Sequence, residues 1–214
     1  MFLAISRFRL RRRLIQLVLG LVLFGAGIGL MLDSDLGLPP WDVLHQGLAE
    51  RIGGTVGLWS ILISIVVLLM WFPLKEPFGL GTLLNFAIIG VAIDLTAALV
   101  PDPGAAWVRW ALLLGGVYLI GVSSGMYIGA NLGPGPRDGL MTGISKRGPS
   151  IRLTRFVLEA VVLGVGWLLG GTFGVGTVIF AIAIGPIVHY YLPRWTIDTD
   201  SSREDPDAWV HPAI

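Results

Sequence analysis

Residues 36–51 read LGLPPWDVLHQGLAER, and residues 132–147 read LGPGPRDGLMTGISKR. Laid over each other, Leu36, Gly37, Pro40, Asp42, Leu44, Gly47 and Arg51 fall on Leu132, Gly133, Pro136, Asp138, Leu140, Gly143 and Arg147. The same shift places Gly20, Gly25 and Gly29 on Gly116, Gly121 and Gly125, and Trp71 on Trp167. After a one-residue slip at Pro77, FGLGT at 78–82 falls on FGVGT at 173–177, and Gly90 on Gly185. Shared membrane composition would match Leu with Leu, but lipid does not select Pro and Asp at matched positions. The chain is therefore read as two copies of one unit.

The surroundings of these elements are apolar. Of 214 residues, 54% are hydrophobic and 14% charged, with a mean hydropathy of +0.78, a balance that a soluble domain with a polar surface does not show. Crossing a ~30 Å hydrocarbon core takes about 20 mostly apolar residues, and six segments qualify, at 14–34, 57–74, 79–100, 107–130, 153–170 and 174–192. The first follows an Arg-rich start, but it is long enough to span and has no small-x-small cleavage site. The expected fold is an all-α membrane protein of six transmembrane helices, built as two three-helix repeats. Each repeat carries a short Pro-started helix, re-entrant or interfacial, after its first span. Three spans per copy force the second copy to enter the membrane inverted. Charge asks for the same arrangement: with the N-terminus inside, every Lys and Arg except Arg51 and Arg109 falls on the cytoplasmic side. The expected organisation is a basic cytoplasmic N-terminus at 1–13, repeats at 14–100 and 101–193, and a flexible, polar cytoplasmic tail at 194–214.

Several chemistries lack their residues. With no Cys and with His at 45, 189 and 211 only, neither a thiolate nor a His cluster is available for a metal, and no cofactor is expected. HExxH does not occur, and GxSxG occurs only as GVSSG at 121–125, inside an apolar span with no His grouped beside it in the sequence, so the chain is not read as an enzyme. Lys and Arg are dispersed without an aromatic platform, which argues against nucleic acid. The expected partners are the bilayer and a small-molecule or ion substrate, with a homo-oligomer left open.

The candidate substrate- or ion-binding residues are Asp42, Asp138, Glu159, Asp94 and His45. Asp42 and Asp138 follow Pro40 and Pro136 by two positions, where a helix N-terminus stabilises an acid. They read either as helix-start residues or as a pair lining a polar route at a pseudo-two-fold axis. Asp94, Glu159 and His189 are ionisable groups inside the expected spans, and such groups count as functional hypotheses. Asp94 and His189 occupy equivalent positions and should lie toward opposite faces, so no direct pair is expected. Arg152, Arg155 and Glu159 share a helix face, which allows an Arg155–Glu159 pair or a coupling carboxylate. Gly37, Pro40, Gly133 and Pro136 start the short helices. Gly79, Gly81, Gly174 and Gly176 open the third and sixth spans, read as tight turns in preference to anion sites. Glycines 20, 25, 29, 116, 121, 125 and 129 read as close-packing surfaces.

The paired LG-x-x-P-x-D-x-L elements, with GVGTVIFAIAIGPIV at 174–188, resemble the YczE/YitT-type family of bacterial membrane proteins over Leu14 to Pro193. The resemblance implies a bacterial inner membrane and supplies no substrate or catalytic residue. Inverted repeats favour a transporter or channel for a small solute with its site at the repeat interface. The alternative is a non-transporting accessory or sensor that assists another envelope or biosynthetic system.

Overall fold

A computed structural model describes residues 9–198 as eight helices: α1 (Leu10–Ser34), α2 (Pro40–Ile52), α3 (Val56–Leu74), α4 (Leu80–Leu99), α5 (Ala106–Gly129), α6 (Pro136–Ser145), α7 (Ile151–Leu168) and α8 (Val175–Trp195). Their starts follow local chemistry. Pro40 and Pro136 occupy first-turn positions of α2 and α6, where the missing N–H costs nothing. Thr55 and Ser150 accept from the backbone N–H of Leu58 and Leu153 to cap α3 and α7.

The first helix of each copy forms the centre. α1 and α5 cross where glycine backbones touch: a Cβ on Gly27 would stand 2.9 Å from Gly116 O, and one on Gly116 2.6 Å from Gly27 O. Leu17, Leu21, Ile28, Met31, Leu113 and Ile120 bury fully around that crossing, and close approach without a hydrophobic drive is how helices associate in lipid. α4 packs on α1, and α8 on α5. The short helices are exchanged: α2 lies against α7, and α6 against α3.

One matched pair of packings is unequal. α3 lies along α4, with a Cβ on Gly57 only 2.1 Å from Gly90 O. No comparable packing joins α7 to α8. Gly185, which falls on Gly90 in the sequence overlay, faces open space, and α8 buries only Gly176 and Thr177.

The six expected spans coincide with α1, α3, α4, α5, α7 and α8, but only five of the described helices are long and apolar enough to cross a membrane by length and composition. The exception is α7, 18 residues long, whose first half carries Arg152, Arg155 and Glu159. The boundary expected after residue 13 falls inside α1. Arg13, expected among solvated basic residues, is buried, because its guanidinium finds carbonyls to satisfy it. The polar tail expected at 194–214 lies mostly beyond residue 198, outside the described residues.

Candidate functional site

The site rests on a set of cross-links that repeat between the halves. Gly37 and Gly133 hold φ of +121° and +120°, a region that glycine reaches at little cost. These turns receive the FGxGT elements of the other half: Gly176 N donates to Leu36 O at 2.7 Å, and Gly81 N to Leu132 O at 2.8 Å. A Cβ on Gly79 or Gly174 would stand 2.3 Å from Leu132 O or 2.4 Å from Leu36 O. The Gly81 and Gly176 amides are thus spent on carbonyls, consistent with turns and not anion sites. Arg13 donates to Ala130 O and Asn131 O at 2.8 and 2.6 Å, and Arg109 donates to Ser34 O and Asp35 O at 2.7 and 3.0 Å. The sequence shift also places Arg13 on Arg109. Each guanidinium satisfies carbonyls at the end of the partner helix, which otherwise lack donors.

These links hold the starts of α2 and α6 against a cavity of about 450 Å³. Seven helices contribute to its wall along with α2, among them Trp41 and Asp42 of α2, Asn85 of α4, Tyr127 of α5, Arg137 and Asp138 of α6, Arg155 and Glu159 of α7, and His189 of α8. The structure therefore brings Asp42, Asp138 and Glu159 to the wall of one cavity.

Asp42 is buried, 1% exposed, and its Oδ1 lies 3.0 Å from His45 Nδ1 and 3.4 Å from Arg137. The carboxylate can only accept, so His45 Nδ1 carries the proton in that bond. The two short helices are not among those long and apolar enough to span a membrane. Burial disfavours the Asp42 carboxylate, but Arg137 and His45 outweigh it and hold its pKa below the ordinary value. Burial pushes the His45 imidazole down against the opposing pull of Asp42. Asp42 Oδ2, Trp41 Nε1 and His45 Nε2 find no protein partner.

Asp138, the matched acid, is set differently. Among the described residues its carboxylate has one hydrogen-bond partner, the Tyr127 hydroxyl, which donates at 3.3 Å, and is in no ion pair. A water-sized probe reaches it from the cavity, although it lies deep among protein atoms. That depth raises its pKa; Arg155, Arg137 and the Tyr127 bond oppose the rise, and Glu159 adds to it.

The remaining candidates divide. Asp94 accepts from Thr55 Oγ1 at 2.6 Å and from Gly57 N at 2.8 Å, closing the start of α3 at a distance from the cavity. His189 reaches the cavity wall and does not pair with Asp94. Glu159 accepts from Arg155 Nε at 2.9 Å, one of the two arrangements its helical spacing allowed. Tyr127, Arg137 and Asn85 were not among the sequence candidates. Arg137 had a signal, since it follows Pro136 and precedes Asp138; its guanidinium lies 5.2 Å above the Trp41 ring.

A family of unknown function, DUF6198, matches residues 11–193. The chain belongs to this family. It is 44% identical over 177 residues to an uncharacterized protein of Haemophilus influenzae, covering 82% of this chain and 81% of the relative. It is 37% identical over 179 residues to the uncharacterized membrane protein YczE of Bacillus subtilis, covering 82% and 83%. A third relative, the uncharacterized protein YyaS of Bacillus subtilis, is 31% identical over 183 residues, covering 82% and 90%. No solved structure matches. The resemblance to YczE drawn from the paired motifs thus holds across most of the chain, and the DUF6198 chain is a membrane protein with several apolar helices.

Proposed function

We propose that the DUF6198 chain is a transporter of the bacterial inner membrane, with six spans in two inverted three-helix repeats, both termini cytoplasmic, and its solute site in the cavity between the halves. The observation that carries this reading is the cavity itself: the matched acids Asp42 and Asp138 meet there from opposite halves. Inverted-repeat carriers place their sites at such interfaces, with short helix starts facing the solute. In this reading α2 and α6 are re-entrant, because α2 buries Trp41, Asp42, Val43, His45 and Gly47 among the long helices. α7 counts as the sixth span, its charges near the cytoplasmic end and its Arg155–Glu159 pair beside the cavity.

The unequal packing supports a carrier over a fixed pore. α3 is closed against α4 while α7 stands away from α8. In an inverted repeat, exchanging the two conformations would open α3 from α4 and close α7 on α8, moving access to the other face.

Proton flux into vesicles carrying the purified chain tests the coupling role. Asp138→Asn should abolish flux while thermal unfolding in detergent stays within a few degrees of the wild type; undiminished flux in that variant would remove the carboxylate from the mechanism. Orientation is tested in the same cysteine-free chain: Asp102→Cys should react with an impermeant maleimide from outside, and Arg152→Cys only after permeabilisation. Labelling of both from outside would break the inverted topology.

A further inference from the structure

The charged groups around the cavity differ in what neutralises them. Arg137 faces Asp42 at 3.4 Å, and Arg155 faces Glu159 at 2.9 Å. That leaves Asp138 as the carboxylate without a counter-ion, open to the cavity and held by one hydroxyl. The repeat shows what is missing. Asp42 is neutralised by Arg137, a residue of the opposite half; the sequence overlay puts Arg137 on Trp41. The counterpart of the Asp42–Arg137 pair is therefore Asp138 with Trp41, which brings a ring where its mate brings a charge. A carboxylate inside a protein without a counter-ion is costly, and a ligand can supply the cation.

The rest of the wall is suited to such a ligand's body. Phe24, Phe86, Tyr127 and Phe180 line the cavity, and aromatic faces attract a desolvated cation. The chain already uses this geometry internally, with the Arg137 guanidinium over Trp41 beside Asp42. Gly185 of α8 also lines the cavity, and a Cβ there would meet nothing within 4 Å, which leaves room on that wall beside the aromatic rings.

We infer that the cavity binds an organic cation with an apolar body, its positive charge held by Asp138 and its body by the aromatic wall. This inference rests on the carrier reading for its site but not for its chemistry. Tetraphenylphosphonium and tetraphenylborate share one shape and carry opposite charges, so equilibrium dialysis of each against the purified full chain isolates the sign. The phosphonium should bind saturably and at least tenfold more tightly than the borate. Asp138→Asn should lose at least tenfold in phosphonium affinity, Asp138→Glu should restore most of it, and borate should not respond to either change. Equal affinity for the two ions, or unaltered phosphonium binding in Asp138→Asn, would overturn the proposal; the comparison of ions on the unmodified chain decides the sign even if a variant fails to fold. Phosphonium binding without flux in vesicles would keep this site and reject the carrier, whereas Asp138-dependent proton flux without phosphonium binding would keep the carrier and reject this ligand class.

Discussion

Asp42 and Asp138 occupy one position in two copies of the same element, and the structure treats them in opposite ways. Asp42 is enclosed with His45 and Arg137, while Asp138 is open to the cavity, hydrogen-bonded to the Tyr127 hydroxyl and, among the described residues, in no ion pair. α3–α4 and α7–α8 differ in the same sense, one pair closed and the other apart. In both comparisons the identical residues set the backbone, and the non-identical ones set the chemistry: Trp41 against Arg137, His45 against Met141, Gly57 against Leu153. A repeat of this kind conserves a frame and spends its differences at the interface.

The sharpest way to break the comparison uses the matched glycines. Gly90→Leu drives a side chain into Ile61 and Gly57 O, within 2.5 and 2.7 Å of its Cβ, and should cost about 3 kcal/mol or more, read as a large fall in the detergent melting temperature. Gly185→Leu meets open space and should be neutral or stabilising by up to about 1 kcal/mol, since glycine is a poor helix former; it should nevertheless impair flux if α7 must close on α8. Equal destabilisation by both would show that the α7–α8 gap is not real.

The acids come next. Asp42→Asn leaves Arg137 and His45 facing a neutral group and should destabilise by about 3 kcal/mol, whereas Asp138→Asn should leave stability unchanged or raised. Acid titration separates them further. The Asp42 pKa is depressed, so its contribution is present above the ordinary carboxylate pKa and is lost as pH falls through the depressed value. The Asp138 pKa is raised, with Arg155, Arg137, Tyr127 and Glu159 facing it, so its favourable contribution is present below the ordinary value and is lost as pH rises through the raised one. Melting temperature against pH should therefore flatten on the acidic side in Asp42→Asn, and flatten above the ordinary carboxylate range in Asp138→Asn. Superimposable profiles for the two variants would contradict the contrast.

The smallest expected difference lies in the arginine clamps. Arg13 is 2% exposed, and Arg109 is about one-third exposed. Arg13→Met should cost about 2 kcal/mol and Arg109→Met about 1 kcal/mol, because water can replace the hydrogen bonds of the more exposed guanidinium. A larger loss for Arg109 would reverse the assignment of the tighter clamp.

Most of the helical frame could be read before any coordinates. The apolar runs delimit the long helices to within a few residues, since lipid demands a minimum length of internally bonded backbone. Pro40 with Asp42 and Pro136 with Asp138 announce the short helices through first-turn chemistry. The site was half legible: Asp42, Asp138, His45 and Glu159 were named, but Asp94 was proposed as a binding residue and instead closes the start of α3. That role depends on Thr55 and Gly57, which are distant in sequence and brought close only by packing. Tyr127 and Asn85 gave no signal, because a lone polar residue in an apolar helix has no period to betray which face it takes.

The sequence alone therefore determined the all-helical class, the long-helix boundaries to within a few residues and the Pro-started short helices, all of which follow from local backbone chemistry and hydrophobic length. Only the tertiary structure decided which acid is neutralised, which is open, and which pair of helices stands apart. Those outcomes depend on contacts between the halves, where residues about a hundred positions apart meet, and a carboxylate's charge state depends on what packs against it, not on its neighbours along the chain.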